Sequence, residues 1–299
     1  MTFQRTLRRQ VACAGIGLHS GQKVTLTLKP AAADSGIRFR RSDLGVDIPA
    51  TVTHLRGTNH ATGLSRNGAT VDTVEHLLAA LVSLGIDNAV VELDHHEVPV
   101  MDGSSAPFVY LLQEAGTKTL AAPRRYLKVL RPITVSRGDK LMSIYPADHF
   151  KITYHISFDH PLLRHQSHTL QVNEEAFIEH IAPARTFGFL HEVELLRQQG
   201  LAQGGSLENA IVLSETGVLN NQLRYEDEFV RHKILDAIGD LSLVGYPIIG
   251  HLVAHRAGHA LHTAFAKRIL DEPDAWKLVE LAPESAPVFG TAAVPVRAS

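Results

Sequence analysis

Apolar and polar positions alternate early in the chain. Val24, Leu26 and Leu28 are separated by threonines, the period of a half-buried strand. Ile37 and Phe39 alternate with arginines after a turn at Gly36, leaving 30–35 as a loop between two predicted strands. The period then changes. Val74, Leu77, Leu78 and Leu81 follow helical i, i+3, i+4, i+7 spacing, Asp72 and Thr73 offer caps, and Gly85 ends the run. A buried strand is predicted over 88–93. The loop MDGSSAP leads to a second helix, with Pro107 near its start and Phe108, Leu111 and Leu112 on its inner face. Residues 116–123 are small and polar and read as a linker.

The same order recurs. Strands are predicted over 127–135, 141–144 and 152–158, then a helix near 174–181. A mixed stretch over 187–213 holds a short amphipathic helix and a turn at Gly204–Gly205. The strongest helix spans 227–244, with Glu226, Asp227 and Glu228 at its positive end and Gly245 and Pro247 closing it. A last helix follows Gly258. Strands then helices, twice over, predict two α+β units: 1–120 and 126–299.

Composition narrows the function classes. The 299 residues are 44% hydrophobic and 20% charged, ordinary globular values that argue against a largely disordered chain. A net charge of −2 gives no drive toward nucleic-acid phosphates. A single cysteine, Cys13, excludes an intramolecular disulfide and a cysteine-rich zinc knuckle. No apolar run approaches the roughly 20 residues that span a bilayer, because Gly245, Pro247 and Gly250 interrupt the most apolar stretch. Arg5, Arg8 and Arg9 before a short apolar segment imitate a signal peptide only crudely, so a cytoplasmic protein without stable membrane insertion is expected. The 18 histidines stand out, because imidazole is both the common transition-metal ligand and the usual acid or base near neutrality.

Two patterns concentrate that chemistry. In HKILDAIGD, His232, Asp236 and Asp240 are spaced by four, so their side chains share one helix face. A polar stripe on a surface helix would look the same, but Phe229, Ile234, Leu235 and Ile238 around it imply wide burial, and buried polar groups need partners. In TVEHLL, Glu75 and His76 open an otherwise apolar helix, as an ordinary N-terminal Glu or as a base beside a third metal ligand. The metalloprotease HExxH is absent, the segment 15–21 lacks the ending of a phosphate loop, and GGS at 204–206 is no nucleophile elbow.

Taken together, the fragments resemble one family. GIGLHSG (15–21), TVEHL (73–77), GIDNA (85–89), MDGSSAPFV (101–109), FDHP (158–161), ARTFGF (184–189), GGSLENAIV (204–212), the run 223–241 and GHAL (258–261) occur in the order of the UDP-3-O-acyl-N-acetylglucosamine deacetylases. The resemblance implies two similar α+β domains in a sandwich, with helices packed between outer β-sheets. Each domain carries a small insert, near 51–69 and, β-α-β-like, near 188–213. It implies one Zn²⁺ per chain on His76, His232 and Asp236, with Glu75 as general base and His259 as second acid/base group. Asp240 matches the carboxylate partner of that histidine, Thr186 an oxyanion donor, and Lys233 a basic residue of the site. His19, Phe158, Asp159 and His160 match a nucleotide-lining region, and Phe187 and Arg256 further substrate contacts. Val193, Leu196, Ala202, Ala210 and Val212 match an acyl-chain passage. The chain departs from the common pattern at Asn59, His60, Gln203, Gln222, Arg256 and His262, none of them an implied ligand.

The expected substrate is an acylated UDP-amino sugar, the expected reaction amide deacetylation in Gram-negative lipid A synthesis, and the expected state a monomer. Two other classes make different demands. A zinc-stabilised scaffold needs a closed site, usually of four protein ligands, whereas three are found here. A nucleic-acid binder needs a basic stripe with exposed aromatics, and the early arginines are too few.

Overall fold

The computed structural model describes residues 2–58, 60–220 and 222–282. Its helices are α1 (Glu75–Ser83), α2 (Ala106–Ala115), α3 (Glu174–His180), α4 (Leu190–Gln198), α5 (Glu228–Leu241) and α6 (His259–Asp271). A five-stranded sheet runs in the order Val11–Ile16, Lys23–Pro30, Ala89–Leu93, Ile37–Arg41, Val46–Pro49. A seven-stranded sheet is organised around Ile248–His255. This strand pairs parallel with Arg125–Val129 and Phe150–Ile156 and antiparallel with Lys140–Tyr145.

The helices form the inner layers. α2 lies on the strand Val11–Ile16, α1 packs on α2 and α5, and α5 and α6 pack on strands of the seven-stranded sheet. The α+β sandwich with helices between outer sheets is therefore the observed fold. Strand alternation puts Leu26, Leu28, Phe39 and Ile48 inside, and helical spacing does the same for Leu77, Leu78 and Leu81. They join Phe229, Ile234, Leu235 and Ile238 of α5 in one continuous core.

Two small units project from this frame. The first is a three-stranded antiparallel sheet of Leu55–Gly57, Gly63–Arg66 and Ala69–Val71. The second is a β-α-β unit, in which Phe187–Phe189 pairs parallel with Ile211–Leu213 and α4 lies between them in sequence. No described helix is long and apolar enough to cross a membrane.

Three local expectations are corrected. The supposed linker is a strand: Thr117–Pro123 pairs antiparallel with Phe3–Leu7. Most of its side chains are exposed, so it carries no apolar alternation, and its partner lies more than a hundred residues away in the chain. The stretch 127–135 is two strands, Arg125–Val129 and Ile133–Arg137, split around Pro132. Neither Asp72 nor Thr73 caps α1. Thr73 adopts a left-handed conformation (φ 60°) and its hydroxyl donates to buried Glu97 at 3.0 Å, while Asp72 pairs with Arg56. The last part of the expected second domain, 283–299, and the position Asn59 lie outside the described residues.

Candidate metal centre and active site

The site forms where α1 meets α5. A Cβ added at Gly239 would stand 2.1 Å from the carbonyl oxygen of Glu75, so the two backbones touch at this point. Only glycine allows that approach. It brings the first turn of α1, with Glu75 and His76, against the polar stripe His232, Asp236 and Asp240. All five are at most 4% exposed, so α5 is buried on its polar face as well as its apolar one.

Three ligand atoms converge. Asp236 Oδ1 is 3.3 Å from His232 Nε2 and 3.6 Å from His76 Nε2, and the two imidazoles meet edge to face with centroids 4.9 Å apart. Asp236 Oδ1 and His76 Nδ1 are buried with no hydrogen-bond partner among the described residues. Buried polar atoms without partners are costly, and a cation supplies what Asp236 Oδ1 lacks. His232 donates Nδ1–H to the carbonyl of Ala184 at 3.0 Å, which leaves the Nε2 lone pair facing the cluster. Burial pushes His232 down to about 3, against the pull of Asp236, so the imidazole is neutral at any ordinary pH. Burial alone would raise the Asp236 carboxyl, but His232, Lys233 and His259 outweigh it and hold the group well below the usual range. The donor set, two imidazole nitrogens and a carboxylate oxygen, fits a divalent transition metal with a coordination position left over.

Acid–base groups flank this cluster. His259 Nε2 lies 3.7 Å from Glu75 Oε1 and 3.8 Å from Asp236 Oδ2, while its Nδ1 meets Asp240 Oδ2 at 2.8 Å. Burial would lower His259, but Asp240, Asp236 and Glu75 reverse this and raise it to about 9. Burial also raises the Glu75 carboxyl, against the pull of His259 and His76. Thr62, delivered by the first small unit, holds both sides together. Its backbone N–H donates to Glu75 Oε2 at 3.1 Å and its hydroxyl to Asp240 Oδ1 at 2.5 Å. An imidazolium and a carboxylate thus stand beside a metal-type cluster, the equipment for metal-assisted hydrolysis.

A family model described as UDP-3-O-acyl N-acetylglycosamine deacetylase matches residues 4–271. The chain belongs to that family. Relatives named UDP-3-O-acyl-N-acetylglucosamine deacetylase include one from Pseudomonas entomophila (strain L48), 50% identical over 93% of this chain and 94% of its own length. Another, from Anaeromyxobacter dehalogenans (strain 2CP-C), is 50% identical over 94% of this chain and 92% of its own. A third, from Myxococcus xanthus (strain DK1622), is 51% identical over 92% and 89%.

The other residues expected from the family pattern divide into groups. Phe158, Phe187, Phe189 and His160 form an aromatic cluster, with centroids 5.8–6.0 Å apart for Phe158–Phe187, Phe158–Phe189 and His160–Phe189. Phe187 also reaches the ring of His232 at 6.3 Å, so the aromatic cluster runs up to the candidate metal-binding group. His160 is buried and fixed by Leu162 N–H on Nδ1 and Ser214 O at Nε2, while Asp159 is exposed. Thr186 is pinned by its backbone between Gly103 O and Ile211 N–H, both 2.8 Å away. Lys233 donates to Asp236 Oδ2 at 2.9 Å and sits 5.5 Å over the ring of Phe187. Arg256 pairs instead with Asp139 at 3.1 Å. Both ring nitrogens of His19 are buried and have no hydrogen-bond partner among the described residues, and the ring lies 6.4 Å from that of His60. Of the acyl-passage positions, Ala202 and Val212 are buried, and Val193, Leu196 and Ala210 are half-buried.

Several contributors act through contacts that the local sequence does not signal. Thr62 reaches Asp240 across 178 positions. Buried Glu228 accepts from Arg185 N, Arg185 Nε and Arg224 N, which fixes the segment carrying Ala184 and Thr186. His262, noted only as a departure from the family pattern, is fully buried against Asp240.

Proposed function

We propose that the protein hydrolyses the N-acetyl group of UDP-3-O-((R)-3-hydroxyacyl)-N-acetylglucosamine, releasing acetate in the committed step of lipid A biosynthesis. The observation that carries this reading is the meeting of His76 Nε2, His232 Nε2 and Asp236 Oδ1 beside Glu75 and His259. His76, His232 and Asp236 would hold one Zn²⁺ per chain, which when bound would polarise the amide carbonyl and lower the pKa of water toward ~7. Glu75 takes the proton of the attacking water. The Thr186 hydroxyl donates to the oxyanion that develops on the carbonyl. His259, kept protonated by Asp240, holds a proton at Nε2 for the departing sugar amine, a task that the newly protonated Glu75 can share.

The aromatic cluster around Phe158, Asp159 and His160, together with His19, would take the nucleotide, and the diphosphate would meet Lys233 and Arg256. The β-α-β unit, with Val193, Leu196, Ala202, Ala210 and Val212, would take the acyl chain. On this reading 1–120 and 126–299 are two domains of a monomeric cytoplasmic enzyme with the substrate between them.

The test is metal analysis with a deacetylase assay on wild type, His232→Ala and Glu75→Ala. The proposal expects zinc and activity to vanish together in the first variant, and zinc to remain without activity in the second. Full activity in Glu75→Ala would remove it as the essential base. A zinc-loaded wild type without deacetylase activity would instead support a scaffold.

A further inference from the structure

Asp240 is more heavily tied than the partner of one catalytic histidine needs to be. Its Oδ2 meets two imidazole nitrogens, His259 Nδ1 at 2.8 Å and His262 Nδ1 at 2.9 Å, while Oδ1 accepts from Thr62. Behind His262, its Nε2 lies 2.8 Å from the hydroxyl of Tyr154, on the strand Phe150–Ile156. Asp240, His262 and Tyr154 are all 0% exposed.

The chemistry of the chain allows one assignment of protons. An ionised carboxylate only accepts, so both imidazoles present Nδ1–H to Oδ2. Burial lowers His262 despite its bond to Asp240, so the ring is neutral and its Nε2 carries only a lone pair. Burial likewise keeps the Tyr154 phenol protonated, so Tyr154 is the donor to Nε2. The polarity therefore runs from Tyr154 through His262 to Asp240, where it meets the Nδ1–H of His259. Asp240, His259 and His262 also make a set that a cation could take. The two N···O separations tell against it: tetrahedral zinc at ~2.0–2.1 Å holds its ligand atoms roughly 3.3 Å apart, and these are hydrogen-bond lengths.

We propose that His262 is a positioning residue, locked by Tyr154 as its Nδ1–H tautomer, that fixes the Asp240 carboxylate so that His259 Nε2 stays aimed at the reacting amide. A carboxylate held by Thr62 and His259 alone keeps freedom to rotate toward either donor. The second Nδ1–H on Oδ2 removes it, and a misaim of about 1 Å at a reacting atom can cost ~100-fold in rate. The inference rests on the proposed deacetylation for its kinetic part only.

The experiment combines long-range imidazole ¹H–¹⁵N spectra with steady-state kinetics on zinc-loaded full-length protein. In wild type the His262 ring is expected as the neutral Nδ1–H tautomer. An Nε2–H tautomer or an imidazolium at position 262 overturns the proposal. His262→Leu is expected to lower kcat roughly 10- to 100-fold with KM little changed and zinc still at one per chain. His262→Asn keeps an N–H donor where Nδ1 stood, and is expected to recover most of that loss. Equal losses in the two variants would mean packing alone, and loss of a second zinc with His262 would mean a metal site; either overturns the proposal. Should His262→Leu not fold, Tyr154→Phe keeps the ring packing and removes only the lock. It is expected to keep the Nδ1–H tautomer, which Asp240 still requires, but to free the ring at Nε2 and lower kcat, and an unchanged kcat would also refute the idea. A wild type inactive as a deacetylase would sink the proposed reaction, while the spectra still decide the hydrogen-bond chain.

Discussion

His259 Nε2 and Glu75 Oε1 stand 3.7 Å apart at the edge of the ligand cluster, two groups able to exchange roles in proton transfer. Burial would lower His259, yet Asp240, Asp236 and Glu75 raise it to about 9. As the acid it must carry its proton, so kcat/KM is expected to fall with rising pH on the basic side, below about 9 because a cation on Asp236 opposes the charge on His259. Asp240→Asn removes the largest attraction opposing burial. Its basic limb should move down by about 1–3 units. A pH–rate profile whose basic limb does not move in that variant would remove His259 as the acid.

Gly239 tests how closely α1 and α5 must approach. Alanine in a helix interior normally gains ~1 kcal/mol over glycine. Here the added Cβ would fall 2.1 Å from the Glu75 carbonyl oxygen, against backbone that cannot swing away. Gly239→Ala is therefore expected to destabilise by about 1–3 kcal/mol and to lower both zinc affinity and activity. Thermal melts decide the sign, and a raised Tm would show that the helices do not need this contact.

Much of the frame was legible because periodicity reports burial. The alternation at Val24–Leu28 and the helical spacing from Val74 to Leu81 both match observed elements. The i, i+4, i+8 stripe of His232, Asp236 and Asp240 was readable for the same reason, since one helix holds all three. What closes the site was not. Thr62, His262, Tyr154 and the Gly239 contact join elements distant in sequence, and no local pattern marks a long-range hydrogen bond or a backbone approach. The strand Thr117–Pro123 was missed for a related reason: an exposed ribbon has no buried face to betray it.

The metal-free protein should be most stable near neutrality, for two opposing reasons. His232 has an ordinary value of 6.5 and is lowered to about 3 in the fold. Between those values the unfolded chain binds the extra proton, so stability falls as pH falls through that window. His259 is raised from 6.5 to about 9, so its contribution is complete below 6.5 and is lost as pH rises toward about 9. Melting temperatures of metal-free wild type, His232→Leu and His259→Leu across this range isolate each limb. The His232 variant should flatten the acid side and the His259 variant the basic side. Unchanged slopes would show that these two groups do not govern the pH response.

The β-α-β unit supplies the last test, because apolar binding energy should scale with chain length. Each methylene buried contributes roughly 0.8 kcal/mol, so removing two from the acyl chain should cost about 1.6 kcal/mol, about fifteen-fold in kcat/KM. A substrate with no acyl chain should be turned over far more slowly. Leu196 is half-buried on α4, with Leu190 and Leu195 exposed beside it, 39% and 54% respectively. A charge at Leu196 should therefore harm long-chain substrate most and chain-free substrate least. The comparison is a cycle in which protein and substrate are altered in turn. A Leu196→Asp penalty of the same size on both substrates would place the acyl chain elsewhere on the molecule.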